Sequence, residues 1–425
     1  MYEGLKGKKL LIVGADVNDM EIIRTAQSMG VFTIASDWCT DYTKSPAKRL
    51  ADAAWDINYR DVDAMVTRCV AEHVDGVMAG YSETRVLLAA EICRKLNLPF
   101  YASEDIVRLT RDKRSFKHYC EKYGVPVPKE YCKTGTFTED DYNRIKYPVI
   151  VKPADYGGHF GITVCRNSAQ LKSAVEKALA CSENKTVVIE EYVEGLEMCS
   201  IYNMSDGDVA LALVNDKYQV VLDGRTTILC NTTVNPSKHV KKYMDTVDPY
   251  IRDFLRGIGA KNGIAFFQMI ASENGIRVFE MGYRLNGGND QHIIEKYNNI
   301  NHLKMLISYS LTGCMGDDIN KNNPIFPEFL GVYLAYVHGG TVGRMECASK
   351  VGENGVIAIT QKIFPGTTVT DNETTQQEGY VVKFCADSID EVAKRMKIIA
   401  DGIVVEDIEG NNLLFDRFDT RRLYE

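Results

Sequence analysis

The chain has 425 residues, of which 45% are hydrophobic and 25% charged, and its formal net charge is −8. This length allows two to four domains with well-buried cores. The acidic balance, and the lack of any lysine- or arginine-rich run, argue against a nucleic-acid or membrane-surface partner. No apolar stretch reaches the length of a membrane span, and the first residues hold only a short apolar run, so we expect neither a transmembrane helix nor a signal peptide.

The twelve cysteines are spread singly along the chain, with no Cys-x-x-Cys pair. This spacing argues against a zinc ribbon or a thioredoxin-type redox motif. We expect most of these cysteines to be small buried hydrophobic residues in a reducing compartment, which predicts a cytoplasmic protein.

Residues 8–100 alternate buried strands with amphipathic helices. This order predicts a small parallel sheet built from right-handed βαβ crossovers. A dinucleotide site is the first alternative, since Asp37 ends the second strand. The first turn, however, reads Gly14-Ala15-Asp16 and lacks the G-x-G-x-x-G fingerprint, which argues against that site.

A lysine and a glycine-rich loop follow in YPVIVKPADYGGHFGITV, residues 147–164. Lys152 ends one predicted strand, and Gly157, Gly158 and Gly161 lie before the next. A Walker loop leads into a helix and ends in Gly-Lys-Ser/Thr, so this segment is of a different kind. Such a loop can fold over phosphates and offer backbone N–H donors.

An acidic strand and a predicted helix come next. TVVIEEYVEGLEM, residues 186–198, is an apolar strand that runs into Glu190 and Glu191 and then Glu197. Read alone, it fits a solvated strand end equally well. NPSKHVKKYMDTVDPYIRDFLRGIG then predicts a helix with Lys238 and His239 in its first turn. We expect that turn to be solvated, and the alternative is that Lys238 or His239 points at the cleft.

The most informative segment is FFQMIASENGIRVFEMGYRLNGG, residues 266–288, which predicts a β-hairpin. With a three-residue loop centred on Asn274, Gln268 faces Glu280 across the ladder. Two oxygen ligands then converge, which suits Mg²⁺ better than zinc. Arg284 follows at once. Read alone, an ordinary hairpin with one polar pair is the commoner interpretation.

From about Phe326 the sequence changes to short strands and turns, followed by a helix in SIDEVAKRMKIIADGI. This pattern predicts a small antiparallel α+β lid domain without a catalytic group of its own. His338 is its one candidate, and a plain turn is the better interpretation.

The order of these segments resembles the ATP-grasp ligases, over roughly residues 105–315. The resemblance rests on four motifs: DKRSFKHYC (112–120), VKPADYGGHFG (151–161), IEEYVEGLE (189–197) and FEMGYR (279–284). The resemblance is to the carboxylate–amine ligase type and to the ATP-binding domains of carbamoyl-phosphate synthase, biotin carboxylase and L-amino acid ligases.

The resemblance implies an α/β and α+β fold in four segments. These are an N-terminal βα (Rossmann-like) domain, a small ATP-grasp lobe with the glycine-rich loop, a large lobe with the metal hairpin, and a C-terminal antiparallel α+β lid domain, at residues 1–105, 106–188, 189–320 and 321–425.

The resemblance also implies ATP and Mg²⁺ (or Mn²⁺) as cofactors and assigns residues to the phosphates. Lys113 and Lys152 would bind them, and Gly157 and Gly158 would lie in the loop above. Arg284 would face the γ-phosphate and the carboxylate that receives it, so Arg284 and Lys152 are the implied catalytic residues.

At the nucleoside end, Glu190 would accept the adenine amino group. The backbone of Glu191 and Val193 would complete that contact, and Glu197 would bind the ribose hydroxyls. These assignments rest on the resemblance alone.

For the metal, the resemblance implies Gln268 and Glu280 as ligands. The family often has Asn two residues after the metal Glu, and here that residue is Gly282. A Mg²⁺ ion would then take extra water or borrow Asn286, so the number of metal ions stays open.

The implied function is an ATP-dependent carboxylate–amine ligase that forms an amide or peptide bond through an acyl phosphate and releases ADP and phosphate. Its partners would be small-molecule carboxylates and amines, with no nucleic acid or membrane. Two alternatives stay open: an enzyme acting on bicarbonate or carbamate, and a non-catalytic ATP-binding protein, which Gly282 suggests. The sequence names neither the acid, the amine nor the oligomeric state, for which a homodimer is the usual expectation.

Overall fold

The computed structural model describes residues 4–131, 139–155, 161–222, 225–288, 290–316 and 318–425. The chain starts with the predicted parallel sheet, in the order β3-β2-β1-β4. Its strands are β1 Lys9–Val13, β2 Phe32–Ser36, β3 Ala53–Trp55 and β4 Gly76–Met78. The helices around it are α1 Asp19–Ser28, α2 Ala47–Leu50, α3 Val62–Glu72 and α4 Glu83–Leu96.

Three helices lead into a second, smaller sheet: α5 Glu104–Arg111, α6 Lys113–Lys122 and α7 Glu139–Arg144. The sheet has the antiparallel order β6-β5-β7, with β5 Val149–Pro153, β6 Thr163–Cys165 and β7 Val187–Glu191. The helix α8 Leu171–Cys181 covers it and closes a core of its own. Lys152 therefore lies on a strand whose neighbour β6 is antiparallel, as predicted.

The largest sheet has eight antiparallel strands in the order β12-β11-β8-β9-β10-β13-β17-β15. From Leu196 onward, the strands among the described residues are β8 Leu196–Ser205, β9 Asp208–Leu222, β10 Arg225–Asn235, β11 Gly263–Ser272, β12 Gly275–Gly282, β13 Phe329–Tyr336, β14 Gly340–Cys347, β15 Val356–Gln361, β16 Thr368–Val369, β17 Glu378–Ala386 and β18 Ile403–Asp407. The helices are α9 Val240–Thr246, α10 Asp248–Gly257, α11 Gln291–Asn298, α12 His302–Thr312 and α13 Ile389–Asp401.

The C-terminal region shares this sheet, because β13, β17 and β15 extend it beyond the strands of the predicted large lobe. The remaining strands form a small sheet of order β16-β14-β18. Strands before and after the predicted boundary near residue 320 thus belong to the same sheet. The four domain limits stay a prediction. Within the described ranges, every helix is too short or too polar to cross a bilayer.

The two faces of the large sheet have different surroundings. On one face, the ring of Phe267 packs against Phe254 and Phe116, with ring centroids 6.0 and 6.4 Å away. Since side chains alternate along a strand, Gln268 and Ile270 project from the opposite face. This opposite face, called the cleft face below, carries the candidate site.

Candidate active site

The hairpin of β11 and β12 places Gln268 directly opposite Glu280, as predicted. The predicted three-residue loop is wrong. Ser272 pairs with Gly275, so the loop has two residues, and a register shift then leaves Phe279 as an extra residue in β12. Without this bulge Gln268 would face Phe279, and the metal pair would be split between the two faces.

Lysines from two other segments approach this pair. Asp112 caps α6 by accepting a hydrogen bond from the Ser115 N–H at 2.8 Å. This cap starts the helix at Lys113, whose Nζ lies 4.0 Å from a carboxylate oxygen of Glu280. The Nζ of Lys152 lies 5.9 Å from the ring centroid of Phe279. Two cations and two oxygen ligands therefore meet at one place.

The donor set fits a hard cation that also carries phosphate. An amide oxygen and a carboxylate are ligands that Mg²⁺ accepts, and Mg²⁺ is commonly held by one or two protein groups plus substrate phosphates. Within the described part of the chain, no group of three or more His, Cys, Asp or Glu could hold a metal ion. A cation on Gln268 and Glu280 would thus draw most of its ligands from elsewhere.

Glu190 is held between two lysines. Its carboxylate oxygens lie 2.7 Å from the Nζ of Lys152 and 2.5 Å from the Nζ of Lys117. All three residues are 3–4% exposed. Burial alone raises the pKa of the Glu190 carboxyl, but the two lysines hold that pKa below its usual value.

Sequence reasoning missed Lys117. Its position four residues after Lys113 puts both lysines on one face of α6, and that spacing was the available signal. Glu190 engages cations here, so its predicted contact with an adenine amino group stays a prediction.

The hinge after β7 is held by main-chain bonds on both sides. The Glu191 N–H donates to the Lys129 carbonyl at 2.9 Å, and the Tyr192 N–H donates to the Pro148 carbonyl at 3.1 Å. A Glu191 carboxylate oxygen accepts from the Lys129 N–H at 3.0 Å. The backbone that leads to Val193 therefore has a fixed course.

An open cavity of about 1160 Å³ lies beside this hinge and is lined by Glu191, Tyr192 and Val193. Lys238 and His239 also line it, and Lys238 is exposed, so this segment is solvated, as expected, and also faces the cavity. Burial lowers the pKa of His239. The metal pair is outside this lining, so the hinge end and the metal end are separate parts of the site.

Glu197 lies on β8, and its carboxylate is held by two residues of β9. One oxygen pairs with Lys217, and the other accepts from the Gln219 side chain at 2.6 Å. Lys217 and Gln219 were not predicted, since they lie about twenty residues away and only the strand register brings them across. The predicted ribose contact of Glu197 stays untested.

Arg284 is clamped by a residue of the N-terminal βα unit. Its Nε and a terminal nitrogen lie 2.6 and 2.5 Å from one carboxylate oxygen of Glu83, and its guanidinium lies 4.9 Å from the ring centroid of Phe266. Burial raises the pKa of Glu83, but Arg284 brings it below its usual value. Glu83 is 201 residues from Arg284, and the sequence held no signal for this pair. Contact of Arg284 with a phosphate stays a prediction.

Gly282 is matched to its cross-strand partner Phe266. A Cβ at residue 282 would come within 2.4 Å of the Phe266 ring. The aromatic ring thus uses the space that an asparagine would need. The amide nitrogen of Asn286 donates to Asp290 at 2.7 Å, and its oxygen accepts from the Gly288 N–H at 3.3 Å, so this side chain is engaged within its own loop.

Gly157 and Gly158 lie outside the described residues. At the end of the same loop, Gly161 has a φ of +74°, and a Cβ there would come within 2.9 Å of Pro153. Both facts require glycine at this position.

Comparison with known proteins gives a consistent picture. Residues 122–223 match the family model of the D-ala D-ala ligase C-terminus. The chain is 28% identical over 221 residues to a formate-dependent phosphoribosylglycinamide formyltransferase of Sulfolobus acidocaldarius, which covers 49% of this chain and 53% of that protein. It is 29% identical over 109 residues to a D-alanine–D-alanine ligase of Parabacteroides distasonis, which covers 25% of this chain and 32% of that ligase. The chain thus spans about half the length, or less, of these curated relatives.

Solved structures resemble nearly the whole chain. An L-amino acid ligase from Bacillus licheniformis aligns with a TM-score of 0.77 and 17% identity, over 95% of this chain and 99% of that one. The biotin carboxylase domain of a Hydrogenobacter thermophilus 2-oxoglutarate carboxylase aligns with a TM-score of 0.78 and 16% identity, over 94% and 90%. These identities show the fold alone. The family match places a D-ala D-ala ligase C-terminus domain, which is an ATP-grasp domain, at residues 122–223, and the chain as a whole shares the fold of these solved structures.

Proposed function

We propose that this protein is an ATP-dependent carboxylate–amine ligase, which forms an amide or peptide bond through an acyl phosphate and releases ADP and phosphate. The observation that carries the proposal is the convergence of Lys113, Lys152 and the Gln268–Glu280 pair from three separate segments. The ligases among the relatives support the same reaction class.

In this proposal the cofactors are ATP and Mg²⁺ (or Mn²⁺). Gln268 and Glu280 hold the metal, which when bound supplies charge neutralisation at the phosphate oxygens. Lys113 and Lys152 are the fixed cations beside it. Because Glu190 engages Lys152, the nucleotide phosphates compete with or share that lysine.

The chemistry needs activation of a carboxylate, since oxide is a poor leaving group. Transfer of the γ-phosphoryl group of ATP to the carboxylate gives an acyl phosphate. An amine then attacks the acyl carbon, and phosphate leaves as the amide forms. The protein's part is alignment and electrostatic stabilisation. Arg284 faces the carboxylate of the acid substrate in this proposal, and Glu83 and Phe266 hold its guanidinium in place. No serine or cysteine nucleophile is required.

The test is a screen for ADP release with carboxylic acids crossed with amino compounds, followed by mass detection of the amide. Glu280→Ala serves as the inactive variant. Glu176→Ala, an exposed glutamate of α8, serves as the control for loss of one negative charge. Amide formed by wild type and Glu176→Ala, but not by Glu280→Ala, supports the proposal. A rate of ADP release that is the same with and without every acid and amine would contradict the proposal.

A second candidate is phosphorylation of bicarbonate or carbamate. The Hydrogenobacter biotin carboxylase domain, solved with MgADP and bicarbonate, favours it. The same assay separates the two, because bicarbonate alone would then stimulate ADP release. That structure is of a dimer, and a homodimer in the cytoplasm is our expectation here, to be checked by analytical ultracentrifugation.

A further inference from the structure

Residues 418–425, called the C-terminal segment below, reach the cavity beside the hinge, and Arg422 is part of its lining. The segment is anchored at two points. Leu423 is 4% exposed in the core of the C-terminal region, and the Phe418 ring lies 5.6 Å from the Tyr218 ring, centroid to centroid. A region predicted to carry no catalytic group thus supplies a fixed wall at the hinge end of the site.

Arg422 holds the backbone of β9 just beyond the ladder that β9 forms with β8. Among the described residues that ladder ends at the pair Glu197–Lys217, two residues before Gln219. The Arg422 guanidinium donates to the Gln219 carbonyl at 2.6 Å and lies 5.5 Å from the ring centroid of Phe418. Hydrogen bonds from a charged donor are roughly twice as strong as neutral ones. The C-terminal segment therefore fixes the position of Gln219.

The Gln219 side chain in turn holds the carboxylate of Glu197. Its amide nitrogen donates to one carboxylate oxygen at 2.6 Å, while Lys217 pairs with the other oxygen. An ionised carboxylate can accept about four hydrogen bonds, so these two contacts leave acceptor sites for the hydroxyls of a ligand. Gln219 itself lines the cavity, which puts the Glu197 carboxylate one hydrogen bond away from that space.

Arg422, Gln219 and Glu197 thus form one chain of contacts, called the relay below, that leads from the C-terminal segment to the predicted ribose residue. Arg422 and Gln219 are separated by 203 positions in the sequence. The competing explanation is structural: Arg422 pins the C-terminal segment to β9 and has no effect on a ligand's hydroxyls. A structural role changes stability, and changes the affinity for every nucleotide alike. The relay changes the response to a ribose hydroxyl alone.

We propose that Arg422 is a positioning residue of the nucleotide site, which acts through Gln219 to hold Glu197 toward the ribose hydroxyls. This inference rests on the proposed ligase function and its ATP site, and it adds a role for the C-terminal segment in selecting a ribonucleotide. Arg422 does this without touching the nucleotide, because it acts on Glu197 through the backbone and side chain of Gln219.

The direct test is isothermal titration calorimetry with a non-hydrolysable ATP analogue and its 2′-deoxy counterpart, each with Mg²⁺. The readout is the ratio of the two affinities. We expect wild type to prefer the ribose form about tenfold, the scale of one hydrogen bond to a charged group. In Arg422→Met this preference should fall to about threefold or less, because only the affinity for the ribose form drops. A wild type without preference, an unchanged preference in Arg422→Met, or an equal loss for both analogues would overturn the proposal.

Further substitutions make the test specific. Arg421→Met is the matched control, since Arg421 is exposed and its side chain pairs with Asp419, and it should keep the wild-type preference. Gln219→Leu removes the middle of the relay and should reduce the preference as far as Arg422→Met does, with no further loss in the double variant. Arg422→Lys keeps a charged donor and should retain part of the preference. If Arg422→Met does not fold by near-ultraviolet circular dichroism, Gln219→Leu decides alone, and a full preference there refutes the proposal.

Failure of this inference and failure of the ligase proposal give different results. If an amide forms and Arg422→Met keeps the ribose preference, the ligase stands and the relay is wrong. If no acid–amine pair releases ADP but the preference falls in Arg422→Met and Gln219→Leu, the relay stands and the ligase proposal is wrong. If neither analogue binds, the relay and the nucleotide site are both wrong.

Discussion

Replacing Glu190 by glutamine should destabilise the small lobe strongly. The substitution keeps the volume and removes the carboxylate that lies between Lys117 and Lys152, while Lys117 keeps Glu130 at 3.8 Å. Glu190 and the two lysines are buried, and the two ion contacts of Glu190 measure 2.5 and 2.7 Å. Removing one partner of a buried ion pair costs ~3–5 kcal/mol, because it leaves an uncompensated charge. We expect Glu190→Gln to fall in that range.

The assay is urea unfolding followed by circular dichroism at pH 7, with Glu176→Gln as the control on an exposed face of the same lobe. A double-mutant cycle with Lys117→Met adds a second measurement, since Lys117→Met should cost less in the Glu190→Gln protein than in wild type. Mg·ATP analogue should raise the melting temperature more in Glu190→Gln, because its phosphates supply the anion that Lys152 has lost.

The pH dependence has a definite sign. The pKa of Glu190 is lower in the folded protein than its usual value of about 4.3, so its stabilisation is present above that pH and is lost as the pH falls below it. The difference between wild type and Glu190→Gln should therefore be full at pH 6–7 and shrink below about pH 4. If the free energies of unfolding of wild type and Glu190→Gln differ by less than about 0.5 kcal/mol at pH 7, the scale of an ordinary surface substitution, the reasoning is refuted.

Three further predictions concern the phosphate end of the site. Glu280→Ala should abolish turnover without unfolding the protein, while Gln268→Ala should cost less because water can replace a neutral ligand; steady-state ADP release over a range of Mg²⁺ concentrations checks both, and full activity of Glu280→Ala at saturating Mg²⁺ would exclude the metal assignment. Lys152→Ala should weaken binding of an ATP analogue in calorimetry and slow turnover, yet leave the circular dichroism spectrum unchanged; unaltered nucleotide affinity would argue against a phosphate role. Gly282→Asn should destabilise the protein by ~1–3 kcal/mol, as overpacking does, because its Cβ meets the Phe266 ring, and thermal unfolding at wild-type temperature would show that the ring moves freely.

Sequence reasoning recovered the parts of the site that local rules control. Side chains alternate along strands, so a hairpin at 266–288 was enough to oppose Gln268 and Glu280, even though the turn length was wrong and a bulge at Phe279 supplied the missing residue. Likewise, an apolar strand before Lys152 and glycines after it predicted strand, loop and strand.

Tertiary structure decided the pairings between distant segments that no motif announces. Lys117 meets Glu190 across 73 residues, and Arg284 meets Glu83 across 201, with no periodicity or motif linking either pair. Glu197 meets Lys217 only because β8 and β9 align in one register within an eight-stranded sheet. Local sterics and backbone hydrogen bonding act over a few residues and are legible in the sequence, whereas which faces pack together depends on burial summed over the whole chain.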